Sequence, residues 1–313
     1  LGDDRGDVRE TTFLQATVAG LSLASIYMLL ALGFVIIYKS MQVLSFAHPA
    51  IMLFSAYMVS WMATDPTGQR SWKLNFWLAL ALGVVAAGVL GWLSERIAVR
   101  PMIGKPLFAI AILTIGLDIA IRTPVNNLIG VNIRSVGDPW GFGTWQLGDV
   151  VVQHRSVAMV VTAIIVGSLL FAFFRYSRIG LAMRATAIDQ EVALAQGISV
   201  GRIFSLAWIM AGGMAALAGT FASSDLGGLT QSSYIVALKA LPAIVVGGLD
   251  SIGGAVAGAL IIGLAEAYTA TYQGQYLGFL GGNFSQVVPY LVLLIVLLIK
   301  PYGLFGTEEV ERV

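Results

Sequence analysis

The sequence predicts an all-α, polytopic integral membrane helical bundle, and three observations carry that prediction. Apolar residues make up 58% of the 313 positions, charged residues only 11%, and mean hydropathy is +0.84. Soluble domains carry about 25% charged residues, so this chain has too few to cover a water-facing surface. Several apolar stretches approach or exceed the roughly 20 residues that cross a bilayer as a helix. Those stretches are continuous, whereas a membrane β-barrel alternates in segments of about 10 residues, so a barrel is excluded.

The apolar spans read at 13–38, 44–63, 74–93, 106–127, 156–174, 203–223, 236–249, 252–272 and 284–299. The first follows a charged, polar segment, 1–12, that lacks the basic-then-apolar order of a cleaved signal peptide. It also begins without Met, which leaves the natural start open. Span 236–249 is short and holds Lys239 and Pro242. It reads as a broken or re-entrant segment, tolerated only where protein or a water cavity covers the freed backbone. The expectation is about eight to nine transmembrane segments in one domain over 13–301, followed by a polar tail, 302–313.

Lys and Arg near span ends set orientation, because cytoplasmic loops carry the positive excess. Arg96, Arg100 and Lys105 crowd one loop, and Arg175, Arg178, Arg184 and Arg202 another. If nine segments cross, Lys39 and Lys300 fall on that same, cytoplasmic side. The opposite side then carries the N-terminus, the 64–73 loop and the long connection 128–155.

Glycine is frequent inside the spans, and Gly254 with Gly258 forms a G-x-x-x-G step that lets helix backbones approach. Packing within the chain is preferred to a dimer seam. Ala47-His-Pro-Ala-Ile51 resembles Ala240-Leu-Pro-Ala-Ile244, a faint repeat that chance explains equally well.

Much chemistry is absent. No cysteine occurs, so disulfides and thiolate sites are excluded. No P-loop occurs: Gly104-Lys105 runs into Pro106 without the upstream glycine. The two histidines, His48 and His154, are too far apart for an H-E-x-x-H zinc site. Gly247-Gly-Leu-Asp250 lacks the second glycine of a membrane aspartyl protease, and Ser45 lies too near His48 for a relay. No enzyme is expected, nor a bound cofactor or metal, and a net charge of +1 makes no case for nucleic acid.

The polar stretch 175–202 is the long segment built to be wet and to touch a partner. Within it Glu191, Ala193 and Gly197 form an E-x-A-x-x-x-G pattern: a short helix, then a glycine where the helix stops. Asp189, Gln190 and Glu191 suit the positive end of that helix, and Val192, Ala193, Leu194 and Ala195 offer a compact apolar surface. An amphipathic loop lying on the bilayer is the rival reading, but its mixed rather than basic charge favours docking.

Within the spans, Asp118 and Arg122 are spaced to share a helix face and pair. They read either as a contact for a zwitterionic or carboxylate substrate or as a self-neutralised structural pair, which pairing favours. Glu266 anchors a neighbouring helix, through Lys239, or lines the pathway. His48, beside Pro49, is a packing histidine or a pore-lining donor and acceptor. Together His48, Asp118, Arg122 and Glu266 are the candidates for a translocation pathway.

Four stretches, in order along most of the chain, resemble the permeases of branched-chain amino acid ABC transporters, a family that includes urea and amide importers. They are Gly20-Leu-Ser-Leu-Ala-Ser-Ile-Tyr-Met-Leu-Leu-Ala-Leu-Gly33 continuing to Ser45-Phe-Ala-His48; Arg100-Pro-Met-Ile-Gly-Lys-Pro106 with Leu113-Thr-Ile-Gly-Leu117; Gly180-Leu-Ala-Met-Arg-Ala-Thr-Ala-Ile-Asp189 running into the E-x-A-x-x-x-G loop; and Leu238-Lys239 through Val246-Gly-Gly-Leu-Asp-Ser-Ile-Gly-Gly-Ala255. The resemblance implies a permease subunit of an ATP-driven importer in a bacterial cytoplasmic membrane. It implies two ABC ATPase subunits that carry ATP and Mg, a second homologous permease and an extracytoplasmic solute-binding protein. Loop 180–202, with Arg184, Asp189, Glu191, Ala193 and Gly197, would be the coupling helix on the ATPase.

Two departures bear on the cargo. Ser45 stands where the family usually has Asn, Pro49 and Ala50 where it has Gly and Glu, and Asp118 and Arg122 where it tends to be uncharged. The substrate therefore stays open among branched-chain amino acids, urea, amides and aromatic or sterol-derived acids. An ion-gradient-driven secondary transporter is the alternative, with Asp118 and Glu266 as its only candidate carboxylates.

Overall fold

The computed structural model describes residues 4–63, 74–102, 104–141, 143–276 and 278–306. The 64–73 loop and the end of the polar tail lie outside the described residues. Among the described residues eleven α-helices follow one another: α1 Asp4–Met41, α2 His48–Ala63, α3 Phe76–Leu93, α4 Leu107–Ile129, α5 His154–Tyr176, α6 Arg178–Ile188, α7 Gln190–Ala195, α8 Val200–Asp225, α9 Tyr234–Gly247, α10 Ile252–Tyr276 and α11 Val288–Ile299. A π-helical turn, Ser94–Val99, and a 3-10 turn, Arg100–Met102, extend α3. The chain is an all-α polytopic membrane protein, and among the described residues six helices are long and apolar enough to cross a bilayer.

Three expected spans are shorter as helices. α2 has 16 residues, α9 has 14 and α11 has 12. At about 1.5 Å per residue none alone matches a hydrocarbon core of roughly 30 Å. Apolar composition marks a span without marking where the helix begins: 44–47 are irregular backbone and a turn before α2, and Phe284–Gln286 form a 3-10 helix before α11. The segment 236–249 is one helix rather than a broken one, with Pro242 inside it.

The 128–155 connection also holds structure the sequence did not announce. Thr144–Leu147 (β1) and Val150–Gln153 (β2) pair antiparallel, with Leu147 opposite Val150. Gly148 turns the hairpin at φ +63°. Strands of four residues carry too little alternation to stand out beside 20-residue apolar runs.

Contacts divide the chain into two compact units. One comprises the described parts of Leu1–Ala31, Trp140–Ile165 and Lys239–Val313. In it, a Cβ on Gly263 would lie 2.6 Å from the Cα of Ala24, so α10 and α1 touch backbone to backbone. Gly254 and Gly258 press against the carbonyls of Gly247 and Ala243, so the G-x-x-x-G step seats α10 on α9 within this chain. Apolar side chains gain little by leaving lipid for protein, and such close approach is what holds membrane helices together. At one end of the unit Phe13 stacks on Tyr268 at 5.3 Å. At the other, Leu304 and Phe305 donate to the carbonyls of Val246 and Gly247 at 2.9 and 3.0 Å.

The other unit, Leu32–Pro139 and Val166–Leu238, is centred on α2, α3 and α8. Gly91 and Gly212 abut the carbonyls of Trp208 and Ala87, locking α3 to α8. Gly219 leaves room for the Met52 carbonyl, which a Cβ would approach to 2.7 Å. Beyond the end of α4, Arg134 and Leu229 exchange backbone hydrogen bonds of 3.0 and 2.7 Å. Ser60, near the end of α2, donates to the Ser135 carbonyl at 2.6 Å. The faint repeat weakens in the structure: Pro49 is the second residue of α2, where its missing N–H costs nothing, whereas Pro242 lies in a helix interior.

Candidate functional site

The polar stretch folds into two helices separated by one residue. Ser177 caps α6, its Oγ accepting from the Gly180 N–H at 2.8 Å. Gly180 is needed there, because a Cβ would come 2.6 Å from the Phe173 carbonyl. Asp189 is extended, at φ −157° and ψ 114°, and caps α7 by accepting from the N–H groups of Glu191 and Val192 at 2.8 and 2.9 Å. An aspartate is suited to this place, since it satisfies orphan donors at the positive end of the helix.

α7 closes in a Schellman pattern. Ile198 N donates to the Ala193 carbonyl at 3.0 Å and Gly197 N to Leu194 at 2.9 Å. Gly197 holds φ +80° with open space around it, so conformation and not crowding calls for glycine. One expectation needs correction. Ala193 does not belong to the outward apolar surface, because it is buried against the protein. A six-residue helix has an inner face, and the small residue takes it. The exposed large apolar residues are Val192 and Leu194, with Ile179, Leu181 and Ile188 of α6. Arg184 and Glu191 are exposed beside them.

Where α8 begins, a cluster appears that the sequence reading missed. Glu95, fully buried, receives Arg100 Nε on Oε1 at 2.9 Å and Arg100 Nη2 on Oε2 at 3.0 Å. The same Nη2 donates to the Gly201 carbonyl at 2.6 Å and lies 2.7 Å from Ser205 Oγ, which donates to Glu95 Oε2 at 2.6 Å. At about 100° per residue, positions five apart in an α-helix point to different faces. The π turn of Ser94–Val99, where Arg100 N bonds the Glu95 carbonyl, brings them onto one. Sequence spacing alone did not offer that pair.

The candidate pathway residues fall into three separate environments. Asp118 is buried; its Oδ2 receives Arg122 Nε and the Tyr234 hydroxyl, each at 3.1 Å. The Arg122 guanidinium lies 4.5 Å from the Tyr234 ring centre. Asp118 Oδ1 has no hydrogen-bond partner among the described residues. Tyr234 was absent from the candidates because it precedes the apolar run of its helix.

In the other unit Glu266 is buried and doubly bound. Lys239 Nζ pairs with Oε1, and the Tyr27 hydroxyl donates to Oε2 at 2.6 Å. This is the helix-anchoring arrangement, joining α1, α9 and α10. His48 packs in the α2 unit, its ring 4.6 Å from that of Phe34. A Cβ on Gly33 would come within 2.5 Å of the imidazole, so the glycine makes room for the ring. Thr114 Oγ1 accepts from Phe46 N at 3.1 Å, tying the Ser45-Phe-Ala-His48 stretch to the Leu113–Leu117 stretch. Among the described residues, no group of three His, Cys, Asp or Glu side chains could hold a metal.

Six long apolar helices, a doubly capped pair of short helices between two of them, and buried charges that are paired define a multi-pass membrane permease. Residues 16–297 match the family described as the branched-chain amino acid transport system permease component, and the chain belongs to that family. It is 33% identical to the high-affinity branched-chain amino acid transport system permease protein LivH of Escherichia coli, over 96% of this chain and 98% of that protein. Identity to the permease protein BraD of Pseudomonas aeruginosa is 29%, with the same coverage. Identity to a probable LivH permease of Methanocaldococcus jannaschii is 23%, over 91% of this chain and 90% of that protein.

Proposed function

We propose that this chain is a permease subunit of an ATP-driven importer of branched-chain or other hydrophobic amino acids, or of a related small polar solute. Two ATPase subunits carry the ATP and Mg, and one of them docks on α6 and α7. A second homologous permease completes the pathway, and an extracytoplasmic solute-binding protein delivers the cargo at 128–155. The 64–73 loop, on the same side in the expected orientation, lies outside the described residues. The membrane is the bacterial cytoplasmic one.

The observation that carries this reading is the doubly capped α6–α7 pair, which holds Val192, Leu194, Leu181 and Ile188 outward between helices of a family permease. Apolar side chains held outward on a short, rigid, mixed-charge element suit a protein groove.

Nine segments, with α2, α9 and α11 as the short ones, give an N-out, C-in topology. Contacts within each unit support it. The start of α1 meets the end of α10, and the residues after α11 meet the end of α9. Arg100 reaches the start of α8, and Leu229 pairs with Arg134. In each case the joined ends belong to one side of a nine-crossing bundle.

Of the pathway candidates, Asp118 and Arg122 are assigned to contact a zwitterionic or carboxylate cargo, while His48 and Glu266 support the helices. The ion-driven alternative gains nothing, since Asp118 and Glu266 each have a cationic partner.

Affinity purification of the tagged chain from cells that express the whole system tests the proposal. ATPase subunits are expected to co-purify, and Glu191→Arg or Gly197→Val to reduce uptake. If no ATPase is recruited and both variants transport at parental rates, the proposal fails.

A further inference from the structure

We infer that Glu95, Arg100 and Ser205 form a positioning staple, which carries the stroke of the docked ATPase into the transmembrane helices. The inference rests on the proposed docking of α6 and α7. Docking alone moves nothing unless the short helices are stiffly joined to a long one. The joint is short: residues 196–199 separate α7 from α8, the Schellman pattern fixes their start, and Ser199 accepts from Arg202 N at 2.9 Å as α8 begins. A helix start is nevertheless a weak place to push, because its first turn lacks a full set of intrahelical bonds.

The staple holds that turn from outside it. Arg100 grips the Gly201 carbonyl and the Ser205 hydroxyl at once, and buried Glu95 fixes Arg100 in place. Gly201 lets the guanidinium lie close, since a Cβ would sit 3.2 Å from Arg100 Cζ. Glu95 continues the face of α3 that carries Gly88 and Gly91, the face already locked to α8. One turn further along α8, Trp208 Nε1 donates to Met41 Sδ at 3.3 Å, reaching the end of α1. A push on α7 therefore meets a body made of α8, α3 and the end of α1, and not a free helix end.

The chemistry is specific to arginine. A lysine ammonium can answer Glu95, but it lacks the planar fork that serves the carboxylate, the carbonyl and the hydroxyl together. Arg100→Lys keeps the buried charge balanced, so the fold is spared the penalty of an unpaired buried carboxylate.

The test uses the full complex in proteoliposomes, with radiolabelled leucine as the probe cargo, and measures uptake per ATP hydrolysed. Arg100→Lys is expected to retain its ATPase subunits and its ATP hydrolysis. Its uptake per ATP should fall by about tenfold, inside the roughly 2- to 30-fold range that coupling mutations produce. Ser205→Ala should fall less. Parental uptake per ATP in Arg100→Lys overturns the inference, as does a loss of ATPase recruitment with the ratio unchanged. If the parent itself recruits no ATPase, the docking proposal fails instead, and the two failures are distinguishable.

A second measurement has a readout in the otherwise parental protein as well as in the variant. The chain has no cysteine, so Trp92→Cys with Gln196→Cys accepts two spin labels cleanly. One narrow distance, equal with and without ATP, is expected in the otherwise parental protein, and broadening in Arg100→Lys. A distance that changes with nucleotide in the parental protein would mean that the joint bends.

Discussion

Three buried carboxylates of this permease are paired with cations among the described residues, and two of those pairs, Lys239–Glu266 and Arg122–Asp118, differ in how completely they are closed. Glu266 uses both oxygens, one on Lys239 and one on Tyr27, and both charged side chains are nearly inaccessible. Asp118 uses one oxygen for Arg122 and Tyr234 and leaves the other without a partner among the described residues. Its arginine keeps a side-chain exposure of 34%. A closed pair in the membrane interior is a cross-brace, whereas an open one keeps the capacity to bind a zwitterion. The contrast explains why charge within an apolar span is ambiguous in sequence. Both read as charge within an apolar span, and only the unused oxygen and the exposed arginine separate the open pair from the closed one.

The largest effect expected from that contrast is at the closed pair. Lys239→Met leaves Glu266 buried and unpaired, which costs roughly 3–5 kcal/mol. Thermal unfolding in detergent should show a large loss for the single variant and recovery in Lys239→Met/Glu266→Gln. An unchanged midpoint in the single variant would break the distinction. Next, Tyr27→Phe removes a donor from a buried carboxylate oxygen and should cost about 1–3 kcal/mol.

At the open pair the expected readout shifts from stability to transport. Asp118→Asn leaves a partly exposed arginine, so the unfolding midpoint should stay near the parental value. Uptake by the reconstituted complex should fall about tenfold, the equivalent of about 1.4 kcal/mol. A large stability loss with normal uptake per folded protein would make Asp118–Arg122 a second brace. The smallest effect is expected of Tyr234→Phe. It removes one hydrogen bond to Asp118, worth about 0.5–1.5 kcal/mol, and keeps the ring beneath Arg122. A modest rise in the half-saturating cargo concentration, with stability unchanged, would sharpen the assignment.

What the sequence made legible follows from how each feature is encoded. The membrane class is written in bulk composition, and Asp118 with Arg122 in the four-residue spacing of one helix. The end of α7 was readable because Gly197 has a single physical reason to be there. Other features are encoded in contacts between distant segments. Glu95 and Arg100 meet through a π turn, and Tyr27 reaches Glu266 across 239 positions. The inward turn of Ala193 depends on which face of a six-residue helix meets its neighbours, and propensity does not say. The hairpin of β1 and β2 was hidden because four-residue strands are faint beside long apolar runs.

The role of α7 rests most directly on whether it meets an ATPase. A photo-crosslinker attached at Val192→Cys or Leu194→Cys, in this chain without other cysteines, reports what covers the exposed face of that helix. Capture of ATPase subunits, identified by mass spectrometry and competed by Gly197→Val, is the predicted result. Capture of lipid alone, with uptake still dependent on ATP, would contradict it.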